Sequence, residues 1–187
     1  MRIGIAVTQT TELIAKSIKE TLSDVGFESF YFKNNSKVTM ADLVIVLGGD
    51  RGVRNYFHST LDADTPVLGI SESESNGVLA QIELKELPSY LNRIKKQDYI
   101  IEDVPRIGVK IDGKNAYPVL NDVAVFTSKS ATLMEHVLRI NGEEVWHDSS
   151  DGVIISTPSG SSAYSMSAGG PIIFQAANVF GIISVNS

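Results

Sequence analysis

The first hundred residues alternate between short apolar runs and one-sided helical patterns. Residues 3–7 form an apolar run, and Ile14, Ile18 and Leu22 then recur at four-residue spacing, which is the stripe of an amphipathic helix. Three further strands and a second helix are predicted at Phe27–Phe32, Leu43–Leu47, Pro66–Ile70 and Leu87–Lys96. Because strands that alternate with helices favour parallel pairing, we expect a Rossmann-like α/β domain over residues 1–100.

The pattern changes after about residue 100, where short β segments and turn dipeptides replace the helical stripes. Asp112-Gly113 and Asn141-Gly142 are both dipeptides favoured in two-residue hairpin turns. Strands are predicted on either side of the second turn, and again over Val123–Phe126 and Val153–Ile155. The sequence therefore predicts an antiparallel, β-sandwich-like domain over residues 101–187.

Composition narrows the class of protein. The chain has 187 residues, no cysteine and a net charge of -6 at pH 7. The lack of cysteine excludes disulfides, thiolate catalysis and cysteine-held metal sites. The negative charge argues against binding along a nucleic-acid backbone, although N–H groups and a metal ion can still neutralise the phosphates of a nucleotide. Since neither a membrane-spanning run nor a signal-peptide pattern is found, we expect a cytoplasmic protein that does not bind membranes.

A first candidate site follows the apolar run that ends at Leu47. Gly48 and Gly49 come next, and ligands of parallel sheets bind beyond the carboxyl ends of strands, where glycine lets phosphate approach main-chain N–H groups. Asp50 would project into the same space and could position or deprotonate a hydroxyl, or hold a magnesium ion. Taken alone, the tripeptide is more typical of an ordinary turn in which Asp50 caps a helix.

A second candidate site is the segment Asp151–Tyr164, which reads DGVIISTPSGSSAY. It is a predicted strand, then a loop rich in hydroxyls, then a predicted helix whose cap is Ser161 or Ser162. Such a loop offers N–H and hydroxyl groups to a nucleotide, while Ala163 leaves space for a flat base on which Tyr164 can stack. A serine-rich loop packed by a core tyrosine is the alternative interpretation.

Together with Asn121-Asp122 between them, these two segments resemble the motifs of the NAD kinase family, in the same order along the chain. The resemblance covers most of the chain. It implies an enzyme that transfers the terminal phosphoryl group of ATP, or of polyphosphate, to the 2′-hydroxyl of the adenosine ribose of NAD. It further implies Mg²⁺ as a cofactor bridging the phosphates and a homo-oligomer, either a dimer or a tetramer.

The resemblance also implies a role for each matching residue. Asp50 would position or deprotonate the attacking hydroxyl, and the phosphates would lie among Gly48, Gly49, Arg51 and Gly52. The dinucleotide would be bound by seven residues, which are Asn121, Asp122, Asp151, Ser159, Ser162, Ala163 and Tyr164. Taken alone, the Asn-Asp pair is also an ordinary turn dipeptide.

Three features depart from the family pattern. Arg51 stands where Gly-Gly-Asp-Gly-Thr has glycine, so its side chain could obstruct ATP or contact a phosphate instead. Asp122 replaces the usual glutamate and is one methylene shorter. Family members also continue with further strands, which indicates a shortened form, a fragment, or a protein whose strand edges are covered by another subunit.

Two other functions stay open on the sequence. One is an NAD-binding protein without kinase turnover, because the dinucleotide segment matches the family better than the phosphate loop does. The other is a lipid or sugar kinase that shares the Gly-Gly-Asp loop, although the STPSGSSAY segment argues against a lipid kinase.

Overall fold

The computed structural model describes residues 1–7, 12–32, 40–60, 64–72, 77–129 and 131–187. They form two compact units, Met1–Asp103 and Val104–Ser187. None of the helices in these ranges has the length and apolar character needed to cross a membrane.

The first unit is a five-stranded sheet in the order β2-β1-β3-β4-β5, and every adjacent pair is parallel. The strands are β1 Arg2–Ala6, β2 Glu28–Phe32, β3 Leu43–Leu47, β4 Val67–Ser71 and β5 Ile82–Glu83. The helices are α1 Glu12–Val25, α2 Gly49–Ser59 and α3 Leu87–Lys95, the last preceded by a 3₁₀ turn at Leu84–Glu86. The predicted α/β domain with parallel strands is confirmed, whereas β5 is an element that the sequence patterns did not indicate.

The core of this unit lies on and around β3, all five residues of which are buried. Because a central parallel strand is covered on both faces, its apolar run has no polar alternation. In the predicted stripe of α1, Ile18 and Leu22 are buried and Ile14 packs against the core at its margin. The buried strand thus fixes where α2 and the candidate site begin.

The turn from β3 into α2 depends on glycine. Gly48 has φ 96° and Gly49 has φ 62°, which is the left-handed region where a Cβ is strained. Gly52 lies one turn into α2, and a Cβ placed there would overlap the carbonyl oxygen of Leu47. The first turn of α2 therefore lies directly against the end of β3.

The second unit is antiparallel, as predicted. Its strands are β6 Lys110–Ile111, β7 Lys114–Asn115, β8 Asp122–Phe126, β9 Met134–Ile140, β10 Glu143–Ser150, β11 Gly152–Ser156 and β12 Gly181–Val185. Strands β6 and β7 form one hairpin and β9 and β10 another, with Asp112-Gly113 and Asn141-Gly142 at the predicted turns. A three-stranded sheet has the order β12-β11-β8. Strand β12 lies outside the sequence-based predictions.

One side chain on the second hairpin is electrostatically perturbed. The pKa of Asp148 is lowered from 3.8, chiefly by a hydrogen bond from the Ser184 side chain and then by the N–H of Ser149, with smaller contributions from His136 and His147. Because the folded-state pKa lies below the unfolded one, the stabilisation is present above about pH 4 and is lost as the pH falls through the folded-state value.

We expect Gly52→Ala to lower the free energy of unfolding by about 1–3 kcal/mol, because the new methyl group overlaps Leu47. Arg51→Ala in the same helix turn is the matched control and should change it by less than about 0.5 kcal/mol, since Arg51 is exposed. Urea unfolding measures both, and equal stabilities for the two variants would contradict the close approach of α2 to β3.

Ser184→Ala should raise the pKa of Asp148 towards 3.8, because it removes the largest cause of the shift. A carboxylate-detected NMR titration measures this, with Ser184→Thr as the control that keeps a hydroxyl. An unchanged titration of Asp148 in the alanine variant would show that the Ser184 hydrogen bond does not set the pKa.

Candidate functional site

The phosphate loop predicted from the sequence is the turn between β3 and α2. Gly48 is the N-cap of α2 and no side chain caps the helix. The first N–H groups of a helix have no partner within the helix, so this uncapped turn presents donors and a positive helix end to an anion. Gly48 and Gly49 are both in the left-handed region and have no side chains, so an anion can come close to those N–H donors.

Asp50 lies in the first turn of α2, but its carboxylate is largely occupied. Oδ1 accepts hydrogen bonds from the N–H groups of Leu79 and Ala80, and Oδ2 accepts one from Val78, each at 2.9 Å. A Cβ at Gly77 would overlap Oδ1, so glycine at that position is what lets the carboxylate reach the segment. We call this arrangement of Asp50 with residues 77–80 the Asp50 clamp.

The clamp changes what Asp50 can do chemically. A carboxylate has about four lone-pair sites, so three N–H bonds leave a single site on Oδ2. Asp50 can accept one further hydrogen bond or proton from a ligand hydroxyl. Sequence reasoning missed the clamp because the bonded N–H groups lie 28 to 30 residues further along the chain.

Arg51 is exposed on α2. The position that needs glycine for backbone packing is the next one, Gly52, which lies against Leu47. The arginine side chain therefore lies outside the space between α2 and β3, where any side chain would disrupt the turn.

In the second unit, Asn121 and Thr157 hold two chain segments together. The N–H of Thr157 donates to the carbonyl of Asn121 at 2.8 Å, and its Oγ1 donates to the carbonyl of Leu120 at 2.7 Å. The same Oγ1 accepts a hydrogen bond from the N–H of Gly160, and a Cβ at Gly160 would overlap the backbone of Asn121. Thr157 thus anchors the hydroxyl-rich loop beside the Asn-Asp pair.

The side chain of Asn121 has an acceptor left over. Its Oδ1 is buried and has no hydrogen-bond partner among the residues that the structure describes. Buried polar atoms are normally paired, so this oxygen is suited to receive a donor from water or a ligand. Asp122 is half-buried and lies opposite Ser156 in the pairing of β8 with β11.

The predicted serine cap of the helix after this loop is wrong. Residues Ser159–Ser162 form a 3₁₀ turn, α4 spans only Tyr164–Ser167, and its N-cap is Ala163 with no capping side chain. The Ser161 hydroxyl donates instead to the carbonyl of Pro158 at 2.7 Å and accepts from the N–H of Ile173 at 2.9 Å. It therefore fastens the 3₁₀ turn to the chain that returns twelve residues later.

The two predicted ligand serines differ in environment. Ser159 is buried, with 7% exposure, and its Oγ accepts a hydrogen bond from the side chain of Gln175 at 2.9 Å. Ser162 is exposed and Ala163 half-buried. Nothing in the local sequence indicates that Gln175 donates a hydrogen bond to Ser159, because Gln175 lies in an irregular segment outside the motif.

Asp151 and Tyr164 have partners that sequence reasoning also missed. Asp151 accepts a hydrogen bond from the side chain of Asn186 at 2.7 Å. The ring of Tyr164 stacks on that of Phe126. Asp151 adjoins Gly152, the first residue of β11, and Gly152 is opposite Phe126. The contacts of Asp151 and of Tyr164 therefore lie at the start of β11. Asp122 and Ser156 lie at its other end.

The predicted residues therefore form two groups. The first unit carries Gly48, Gly49, Asp50, Arg51 and Gly52 around the start of α2. The second unit carries the predicted dinucleotide residues at the start of β8 and just before it, just before β11, and on the loop and short helix that follow β11. No cluster of three or more His, Asp or Glu side chains suited to a metal ion occurs among the described residues.

Comparison with protein-family models gives one family. Residues 7–99 match the ATP-NAD kinase N-terminal domain, and residues 120–186 match the ATP-NAD kinase C-terminal domain. The chain is similar to the NAD kinase of Clostridium perfringens, at 36% identity over 92% of this chain and 64% of that protein. It is 34% identical to the NAD kinase of Methanopyrus kandleri over 71% of this chain and 48% of that protein. The chain thus spans less than two thirds of the length of these relatives.

Solved structures share the fold over the whole of this chain. A crystal structure of an NAD kinase from Archaeoglobus fulgidus in complex with ATP matches with a TM-score of 0.80 at 25% identity, and the match covers 72% of that chain. Yeast NADH kinase complexed with NADH matches with a TM-score of 0.73 at 19% identity over 66% of that chain. At that identity, the match shows only that the two proteins share a fold. With both domain models matched in order along one sequence, the chain belongs to the NAD kinase family.

Proposed function

We propose that this chain transfers the terminal phosphoryl group of ATP, or of polyphosphate, to the 2′-hydroxyl of the adenosine ribose of NAD and so forms NADP. The observation that carries the proposal is the match of both ATP-NAD kinase domain models, because each matched region contains one of the two residue groups. The 36% identity to the Clostridium perfringens NAD kinase extends over 92% of the chain and supports the same activity.

On the phosphate side, the turn at Gly48 and Gly49 supplies backbone donors without a competing cap. Phosphoryl transfer depends mainly on positioning and on neutralising charge, so a fixed set of N–H groups is a suitable contribution from the protein. Arg51 and Gly52 border this turn, and the exposed guanidinium of Arg51 is available to the donor phosphates.

Asp50 is the group that would receive the attacking hydroxyl. The one open lone pair on Oδ2 can accept the hydrogen bond of a ribose hydroxyl and then its proton. Because three N–H groups hold the carboxylate, its direction is fixed before the substrate binds, which lowers the entropic cost of orienting the nucleophile.

On the dinucleotide side, the unpaired Oδ1 of Asn121 suits a donor group of the ligand. The carboxylate of Asp122 is suited to ribose hydroxyls. Ser159, Ser162, Ala163 and Tyr164 follow on the loop and short helix, and Asp151 lies at the far end of β11. This spread along one strand suits an extended ligand with a nucleoside at each end.

Magnesium fits the proposal as an ion held mostly by phosphates. Mg²⁺ in such sites keeps several waters and takes one or two carboxylates along with substrate phosphates, so the lack of a three-carboxylate cluster among the described residues is compatible with it. When bound, it supplies neutralisation of the charge on the transferred group. The oligomeric state and the cytoplasmic location expected from the sequence stay predictions.

The alternative function is an NAD-binding protein without turnover, because Arg51 replaces a glycine of the phosphate loop. Arg51 is exposed and the glycine needed for packing is Gly52, so the replacement leaves the backbone of the turn intact. The match of both ATP-NAD kinase domain models favours kinase activity over that alternative.

Asp50→Asn should weaken the clamp, because the amide NH₂ faces at least one backbone N–H and cannot accept from it. We expect the protection of the Val78, Leu79 and Ala80 amides to fall by the equivalent of about 1–3 kcal/mol in hydrogen–deuterium exchange. Asp24→Asn, at an exposed position on α1, is the matched control. Unchanged protection in Asp50→Asn would disprove the clamp.

Incubation of the wild-type chain with NAD, ATP and Mg²⁺ should yield NADP, detected with an NADP-specific dehydrogenase. Asp50→Asn should lower kcat by at least about 100-fold, because the acceptor of the hydroxyl proton is lost. Calorimetry should show NAD binding retained in that variant, and Asp24→Asn should remain active. Saturable NAD binding by the wild-type chain with no NADP formed from ATP or polyphosphate would overturn the kinase proposal and leave a binding protein.

A further inference from the structure

An irregular segment, residues 168–180, connects α4 to β12 and is bonded to the hydroxyl-rich loop at two points. The N–H of Ile173 donates to the Ser161 hydroxyl at 2.9 Å. Two residues further on, Nε2 of Gln175 donates to the Ser159 hydroxyl, also at 2.9 Å. Because the Ile173 contact anchors the backbone, the half-buried side chain of Gln175 is held beside Ser159 before any ligand binds.

The direction of the second hydrogen bond decides what Ser159 can offer to a ligand. A serine hydroxyl has one hydrogen and two lone pairs, and Gln175 occupies one of the lone pairs. The hydroxyl hydrogen of Ser159 has no acceptor among the residues that the structure describes. Since Ser159 is buried and an unpaired buried donor is costly, the hydrogen is suited to an acceptor atom of a ligand.

A donor at position 175 is what leaves this hydrogen free. An acceptor there, such as the carboxylate of a glutamate, would take the hydrogen and turn the lone pairs of Ser159 towards the ligand. Loss of the side chain would leave the hydroxyl free to rotate, and orienting it would then cost entropy on binding. Gln175 thus makes Ser159 a donor of fixed direction.

We propose that Gln175 is a positioning residue for dinucleotide binding, which acts by holding Ser159 as a hydrogen-bond donor to NAD. This rests on the proposed function, in which NAD binds the second unit. Ser159 belongs to the motif that resembles the family, whereas Gln175 lies 16 residues beyond Ser159 and outside that motif. The group that receives the hydrogen is an acceptor atom of a base, which is either the carboxamide oxygen of nicotinamide or a ring nitrogen of adenine.

Calorimetric titration with NAD of Ser159→Ala, Gln175→Ala and the double variant tests the proposal. Each single variant should raise Kd about 2- to 10-fold, which is the range of one neutral hydrogen bond. The double variant should bind like Ser159→Ala, because both side chains act through one bond, whereas a loosened segment would weaken binding in either background. The KM for NAD should rise with Kd while kcat stays unchanged, since the bond acts on binding.

Gln175→Glu tests the direction of the bond. Its carboxylate takes the Ser159 hydrogen, so we expect Kd for NAD to rise further than in Gln175→Ala. Asn178→Asp is the matched control, because it adds the same charge at an exposed position of the same segment. That control should stay within about twofold of the wild-type Kd, since exposed charges are screened by salt. Thermal unfolding of each variant checks that the fold is kept.

Two partial ligands, nicotinamide mononucleotide and ADP-ribose, each carry one of the two candidate acceptors. The one whose Kd rises in Gln175→Ala contains the acceptor, and either result supports the proposal. Wild-type affinity for all three ligands in Gln175→Ala, wild-type affinity for NAD in Gln175→Glu, or additive effects in the double variant overturns it and leaves the proposed function intact. The expected pattern of Kd values without NADP formation overturns the kinase proposal alone. Failure of the wild-type chain to bind NAD overturns both.

Discussion

Among the close backbone contacts that leave no room for a side chain, two lie at the candidate site. Gly52 of α2 meets the carbonyl oxygen of Leu47, and Gly160 meets the backbone of Asn121. Each contact fixes a loop that carries predicted ligand residues. In the first, α2 starts at the end of the buried strand with its N–H groups uncapped. In the second, the hydroxyl-rich loop is brought beside the Asn-Asp pair, where Thr157 completes the attachment.

The regular elements were predictable because they follow from local patterns. The apolar run at Leu43–Leu47 has the same bounds in the structure, and the Asn141-Gly142 dipeptide lies at the hairpin turn between β9 and β10. Strand β12 was not predicted, although its run of isoleucine and valine residues is typical of a strand. The serine cap was predicted wrongly for a different reason. The partner that holds the Ser161 hydroxyl, Ile173, is twelve residues away, and no local pattern points to it.

The candidate site was predictable as segments but not as contacts. Motif resemblance places Asp50 and Asp151 in a ligand site by position alone. It does not indicate that Asp50 accepts a hydrogen bond from Leu79 or that Asp151 accepts one from Asn186, because those partners lie 29 and 35 residues away. The stacking of Phe126 on Tyr164 likewise joins a strand to a helix that lies far along the chain. Interactions of this kind are set by strand register and loop packing, which a single sequence does not reveal.

The Asp50 clamp has a consequence for regioselectivity. A ribose presents two adjacent hydroxyls of similar acidity, and an unrestrained carboxylate can accept hydrogen bonds from both at once. Three of the four lone-pair sites of Asp50 are taken by backbone N–H groups, so it can engage one hydroxyl at a time and from one direction. In the proposed reaction, the choice between the 2′ and the 3′ oxygen is then made by the placement of the sugar relative to a single fixed acceptor. In that proposed reaction, the backbone that restrains this carboxylate would help to set which product isomer forms.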